Sequence, residues 1–257
     1  IIQDIEKGKY RKILMPKWLP YLFLFISFFS IYIGYIRYTG EVHLSHAIRY
    51  KNASNWDLVI KEIDAAYNER FYTMDNTSTP LLWYKGLAYF NQNKIKNALT
   101  YFLKANNDNP NHIHSLNNIA TCYGLLGDIE SSKKYYYNVL DIIPTFKESR
   151  INLAVLYYQE KEYSKALDVL LQSHIDVFQN RIINDDNFDY YLRIIFQSYV
   201  SNLFDLTNEE LLIFNKIINE FNEEDLQGKS TFYLQKAYML KQENNKTYRE
   251  IILQIYK

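Results

Sequence analysis

The sequence predicts an all-α protein: one N-terminal transmembrane helix, then a right-handed solenoid of helix pairs, closed by a helical C-terminal cap. Three observations carry that prediction. Residues 18–36 hold 19 positions without a charged side chain, the sequence behind them repeats at a 34-residue offset, and the 257 residues include only seven Gly. So little Gly argues against hairpin-dense β folds and phosphate-cradling loops, and neither GxGxxG nor GxxxxGKS/T occurs. Apolar residues make up 48% of the chain and aromatics 17%, enough to fill a core and to exclude general disorder. The 29 basic side chains balance 29 acidic ones, which removes the bulk electrostatic case for nucleic-acid binding. A lone Cys122 excludes a disulfide framework and Cys-based zinc sites within the chain.

The membrane helix is read from Trp18 to Ile36, WLPYLFLFISFFSIYIGYI. At about 1.5 Å per residue it spans roughly 28 Å, close to the hydrocarbon thickness of a bilayer. Pro20 falls in the first turn, where its missing N–H does no harm, and Trp18, Tyr21, Tyr35 and Tyr38 sit near the two ends as interfacial aromatics do. A signal peptide would have a shorter apolar stretch and a small-residue cleavage site, whereas Tyr-Ile-Arg-Tyr follows here. Lys7, Lys9, Arg11, Lys12 and Lys17 precede the span, against Arg37, Arg49 and Lys51 after it. That bias points residues 1–17 to the cytoplasm and the rest to the exported side of a bacterial inner membrane, the periplasm.

Three blocks then fall into register without a gap: 79–112, 113–146 and 147–180. Position eight holds Gly86, Ala120 and Ala154, and position eleven holds Tyr89, Tyr123 and Tyr157. Position twenty holds Ala98, Ser132 and Ala166; position twenty-four holds Phe102, Tyr136 and Leu170. Pro110 and Pro144 end the first two blocks, with Phe178 breaking that pattern in the third. The spacing has a physical cause. Small residues at eight and twenty let the two helices of a unit lie close, large ones at eleven and twenty-four fill the space between layers, and Pro stops the second helix. Gly127-Asp128 marks a turn between helices, while Asn93-Lys94 and Lys161-Glu162 are weaker turn signals.

A degraded first block, 40–73, places Ala47 at eight, Tyr50 at eleven, Val59 at twenty and Ile63 at twenty-four. Its first helix starts only a few residues after the span. Residues 71–78 are rich in turn formers and carry the extra length before Thr79, which is expected to widen the angle between the first two units. Beyond Asn180 the register is lost, and residues 185–257 read as further helices, including 188–203, that cap the 40–180 solenoid.

No catalytic constellation is legible. His43-x-x-His46 and His112-Ile-His114 contain ligand-type residues, yet neither pair has an acidic or Cys neighbour at a suitable spacing, so no metal and no cofactor is expected. Cys122 beside Tyr123 reads as a buried structural thiol. What remains is a surface. First-helix positions two, five, nine and twelve face the groove of such a solenoid, giving Trp83, Leu87 and Phe90, then His114, Asn117 and Thr121, then Glu148, Ile151, Val155 and Tyr158. Asn118 and Asn152 at position six suit the holding of a peptide backbone, with local capping or packing as the alternative. Trp83 would become core on a one-residue slip. The absence of Lys-type clamps disfavours capture of an acidic C-terminal peptide.

The blocks resemble tetratricopeptide repeats from about Gly40 to Asn180. A narrower resemblance rests on the last span, the Tyr38-Thr-Gly-Glu41 junction, Asn55-Trp56, Met74-Asp-Asn-Thr-Ser-Thr-Pro80, Trp83-Tyr-Lys-Gly86 and the run from His112 to Tyr123. This arrangement looks like the C-terminal part of bacterial O-antigen ligase-type membrane proteins. The resemblance implies that glycan transfer resides upstream, that no catalytic residue lies here, and that the repeats bind a protein partner or organise glycan-assembly machinery. A start at Ile1 rather than Met fits a piece of such a protein. The alternative is a free-standing single-pass adaptor that recruits a protein at the membrane.

Overall fold

The computed structural model describes residues 16–171 and 186–204. Within them lie α1 (Leu19–Asn52), α2 (Trp56–Ala66), α3 (Leu81–Asn91), α4 (Ile95–Asp108), α5 (Ile113–Leu125), α6 (Ile129–Ile142), α7 (Lys147–Gln159), α8 (Tyr163–Leu171) and α9 (Asp186–Phe204). Each helix packs on its neighbours in sequence, and the first helices also touch one another, α1 on α3 and α5 on α7. This is an all-α, solenoid-like stack of pairs. Among the described residues, strand-type pairing is limited to two isolated bridges, Asn68 with Tyr72 and Met74 with Pro80. The helix expected over 188–203 is α9; the rest of the expected cap, most of the basic N-terminal segment and the end of the 147–180 block lie outside the described residues.

The four turns within pairs are built alike. Ser54, Asn93, Gly127 and Lys161 all have positive φ, at 55°, 58°, 85° and 63°. Counted from Gly40, Thr79, Ile113 and Lys147, each is residue fifteen. The next residue's N–H closes the turn on the carbonyl of position eleven: Asn55 on Tyr50, Lys94 on Tyr89, Asp128 on Tyr123 and Glu162 on Tyr157. Such a left-handed residue satisfies carbonyls at a helix C-terminus, and Gly127 takes the conformation with no Cβ penalty. The other three accept a strained backbone because the flanking helices leave no alternative. Asn55 and Asp128 then cap the second helices, accepting from the N–H groups of Leu58 and Ser131.

Packing within each pair follows the small-against-large pattern. Ala98, Ser132 and Ala166 at position twenty, and Ala120 and Ala154 at position eight, are fully buried, and so are Phe102 and Leu170. Ser132 keeps its hydroxyl satisfied by donating to the Ala120 carbonyl at 2.7 Å, which allows Ser where the other units have Ala. The tightest approach is at Gly86, where a Cβ would lie 2.5 Å from the Phe102 ring. Burial of such a ring contributes about 1.5–3 kcal/mol, so the site is energetically consequential. Gly40 approaches Tyr72 in the same way, with a Cβ falling 2.5 Å from its Cδ1. Residues 71–78, expected as a turn-rich loop, thus deliver Tyr72 into the first core. Asp75 orders that segment by accepting from the N–H groups of Thr77 and Thr79 and from the Tyr84 hydroxyl.

The apolar stretch and the first helix of the first unit were expected as two helices with a short junction. They are one helix of 34 residues, about 50 Å long at about 1.5 Å per residue. Its two ends differ in surroundings. Phe23, Phe25, Phe28 and Tyr32 are exposed, whereas Gly40, Leu44 and Ala47 are buried against α2 and Tyr72. Ser27 and Ser30 hydrogen-bond back to the carbonyls of Phe23 and Ile26, which satisfies both serine hydroxyls within the helix. The helix is long and apolar enough to cross a membrane. Phe71 leans edge-on against Phe29 and Tyr32, so the first unit touches the apolar stretch itself.

Gly86→Ala is expected to destabilise the fold by up to about 2 kcal/mol, because an overpacking cost of about 1–3 kcal/mol is set against a helix-propensity gain of roughly 1 kcal/mol. Adding Phe102→Leu should recover part of the loss by vacating the space a Cβ needs. Denaturant midpoints of the wild type and both variants measure this; a Gly86→Ala midpoint at or above wild type would contradict the close-approach account.

Candidate partner-binding groove

The first helices α3, α5 and α7 carry a continuous row of rings at their N-terminal ends. Trp83 lies 5.8 Å from His112 and 6.2 Å from His114, ring centre to ring centre, and His114 lies 5.8 Å from Phe146. Each contact runs from one first helix to the N-terminal end of the next, where His112 and Phe146 are the N-cap residues. Further along, the Ser149 hydroxyl donates to Asn117 Oδ1 at 2.9 Å, and Thr121 Oγ1 lies 3.0 Å from the Tyr136 hydroxyl while donating to the Asn117 carbonyl. These first-helix residues are therefore aromatic and amide-rich, and held by bonds both within and between units.

Of the residues expected to line the groove, His114 is exposed, and Leu87, Phe90, Asn117, Asn118, Thr121, Asn152, Val155 and Tyr158 are half-buried. Leu87 and Phe90 pack against the core of the second unit, and Val155 and Tyr158 against that of the last. Ile151 is buried at 9% exposure and contributes to packing. Trp83 is shared by two neighbouring cores, and its Nε1 is shielded without a hydrogen-bond partner. The structure thus brings Trp83 and His114 together and adds His112 and Phe146, whose places in the inter-unit loops hid them from positional counting.

The two buried cations of the described residues are consumed internally. Lys85 pairs with Asp64 and sits 4.4 Å above the Tyr101 ring. Arg150 donates from Nε to the Pro144 carbonyl and from Nη1 to the Val169 carbonyl, and burial lowers its affinity for the proton. Cys122 is fully buried, which pushes its thiol up to about 12 and leaves no thiolate for chemistry.

Family models for the tetratricopeptide repeat match residues 81–112 and 113–146. Residues 81–146 are two tetratricopeptide repeats. In sequence the chain is similar to Hsp70-Hsp90 organizing protein 3 of Arabidopsis thaliana, 26% identical over 127 residues, and to Hsp70-Hsp90 organizing protein 1 of Glycine max, 27% identical over 127 residues. Those matches cover 49% of this chain and 22% of either relative, so the chain spans about a fifth of their length. In fold it is similar to a crystal structure of MamA, with a TM-score of 0.56 at 11% identity over 72% of this chain and 93% of that one. A MamA double mutant, RS-1 ArsTM, gives 0.53 at 12% identity over 73% and 97%. The three within-pair turns after Ser54 and the pairwise packing carry the same 34-residue register across α3–α8.

One sequence expectation is corrected. His43 and His46 seemed to lack an acidic neighbour, but α2 carries Glu62 to 2.7 Å from His43 Nδ1 and 3.6 Å from His46 Nδ1. Sequence spacing could not show this, because the partner comes from the other helix of the pair. The hydrogen bond from His43 holds the Glu62 carboxyl below its usual range.

His112 caps α5, its Nδ1 accepting from the Ser115 N–H at 3.2 Å. Burial, reinforced by the charge of His114, pushes its imidazole down to about 4. The unfolded chain therefore takes up a proton near pH 6.5 that the folded chain refuses, so stability falls as pH drops from about 6.5 towards 4 and is not lost further below. Discounted for the ring's partial exposure, the loss is about 1–2 kcal/mol. His112→Asn keeps a capping acceptor without a titrating ring, and should flatten this part of the curve in denaturation experiments between pH 7.5 and 4. An unchanged slope would show that His112 is not its source.

Proposed function

We propose that this chain is a membrane-anchored scaffold whose first-helix groove holds an extended segment of a partner protein. The observation that carries the reading is the row Trp83, His112, His114 and Phe146, continued by Asn118, Asn152, Val155 and Tyr158, beside buried cations that are already engaged. Rings supply contact area at low entropic cost, and amides supply bonds to a peptide backbone. Such a groove selects by shape and aromatic contact rather than by a cluster of positive charge. Similarity to proteins named for organizing Hsp70 and Hsp90 supports a scaffold class.

The anchoring half of the proposal rests on the exposed apolar stretch of α1. The finer reading is the periplasmic tail of an O-antigen ligase-like protein of the bacterial inner membrane, serving glycan assembly, with residues 18–36 in the bilayer. The basic bias before the span and the Tyr38-to-Tyr123 motifs support it. Catalysis then belongs to parts of the protein outside this chain, while α9 closes the end of a right-handed solenoid.

Two measurements test the proposal. A photoreactive phenylalanine analogue at Tyr158 is expected to give a discrete protein adduct in cells, lost on adding Asn152→Ala and Val155→Ala; the same probe at Glu130 should give none. Equal adducts from both positions would overturn the groove assignment. Alkaline carbonate washing should leave the chain in the membrane pellet, and protease added to spheroplasts should digest the repeats; release into the supernatant, or protection, would reject the anchor or the topology respectively.

A further inference from the structure

His43 and His46 lie one turn apart on the same face of α1, and Glu62 faces them from α2. One nitrogen of each ring and one carboxylate oxygen fall within 4.8 Å of one another. Both platforms are rigid. Leu44 and Ala47 beside the histidines, and Val59 and Ile63 beside the glutamate, are buried in the core of the first unit. Glu62 is shielded, with its side chain 14% exposed, whereas His43 and His46 are 39% and 44% exposed and open to solvent.

We infer that His43, His46 and Glu62 form a binding site for a divalent transition metal, zinc in the first instance. Two neutral imidazoles and a carboxylate are a donor set that suits zinc, whereas calcium and magnesium require more oxygens than this cluster offers. With zinc–ligand bonds of about 2.0–2.1 Å, two ligands of a tetrahedral ion stand about 3.3 Å apart. The 3.6 Å from His46 to Glu62 meets that spacing, and the 2.7 Å hydrogen bond from His43 to Glu62 opens by a fraction of an ångström when the ion replaces the proton between them. Three protein ligands leave a fourth position facing water, open to a solvent molecule or to a side chain of a partner. The site lies about 10 Å beyond Ile36 along α1, at about 1.5 Å per residue, so the ion clasps α1 to α2 where the apolar stretch meets the first unit.

The test uses the full chain in detergent, free of affinity tags and stripped with chelator, titrated with zinc chloride by calorimetry and with cobalt chloride by visible absorption. One zinc per chain at micromolar affinity or tighter is expected, with the intense visible bands of tetrahedral cobalt. His43→Ala, His46→Ala and Glu62→Gln should each weaken binding by about tenfold or more. Glu130→Gln, at an exposed carboxylate outside the cluster, should leave it unchanged. Glu62→Gln preserves the shape of the side chain, and far-UV circular dichroism matching the wild type confirms that each variant is folded. Absence of saturable binding, or binding untouched by folded Glu62→Gln and His46→Ala, would overturn the site and leave the cluster as an ion pair only.

Discussion

The close approach of two helices within each pair is the constraint on which the rest of this structure depends. It requires a small residue at the crossing and a large one opposite, and the chain meets that demand differently in each unit. Gly86 faces Phe102 with no room for a methyl group, while the Ala120 and Ala154 units place Tyr136 and Leu170 in the same layer. In the first unit Ala47 and Val59 are buried together, and Gly40 admits Tyr72. Because each pair buries only one side of itself, the next pair must cover the other. Trp83, shared between two cores, is the visible seam of that dependence.

The same constraint explains why α1 is continuous. A helix that both carries an exposed apolar stretch and forms half of the first pair needs its second half fixed at Gly40, Leu44 and Ala47, on one face at helical spacing. A flexible junction would let the first unit swing and would give up that packing. Phe71 against Phe29 and Tyr32 extends the coupling back along the helix. Orientation of the stack relative to α1 is thus set by packing, and no linker intervenes.

Much of this was legible in the sequence, and the remainder was hidden for identifiable reasons. Repeat register could be read because side-chain size at positions eight, twenty and twenty-four follows directly from helix contact. Gly127 announced its turn, Asn93-Lys94 and Lys161-Glu162 marked theirs more weakly, and Ser54 gave no signal, since tertiary packing imposes positive φ on these non-Gly residues against local preference. Tyr72 looked like loop because its neighbours are turn formers, yet the opening above Gly40 draws it inward. Glu62 was invisible as a partner of His43 because 19 residues separate them, and only the antiparallel return of a helix pair brings them together. Groove residues were the least legible. Position in the repeat says which way a side chain sets out, whereas Asn117 and Thr121 are then engaged by Ser149 and Tyr136 from neighbouring helices.

That engagement decides what kind of surface the groove is. A solenoid that binds through charge must leave cations unpaired at its inner face and tolerate their desolvation when a ligand arrives. Here Lys85 is taken by Asp64 and Tyr101, and Arg150 by two backbone carbonyls, so both buried cations stabilise the stack. Removing either for a ligand would leave a buried charge or carbonyl without its partner, a loss on the scale of a few kcal/mol. In the proposed groove, binding energy would then come from side chains that the stack leaves accessible: exposed His114 and half-buried Asn118, Asn152, Val155 and Tyr158. The balanced charge of the whole chain has its counterpart in this local arrangement. Discrimination between partners then rests on contour and on backbone hydrogen bonding, which an extended segment satisfies and a merely acidic one does not.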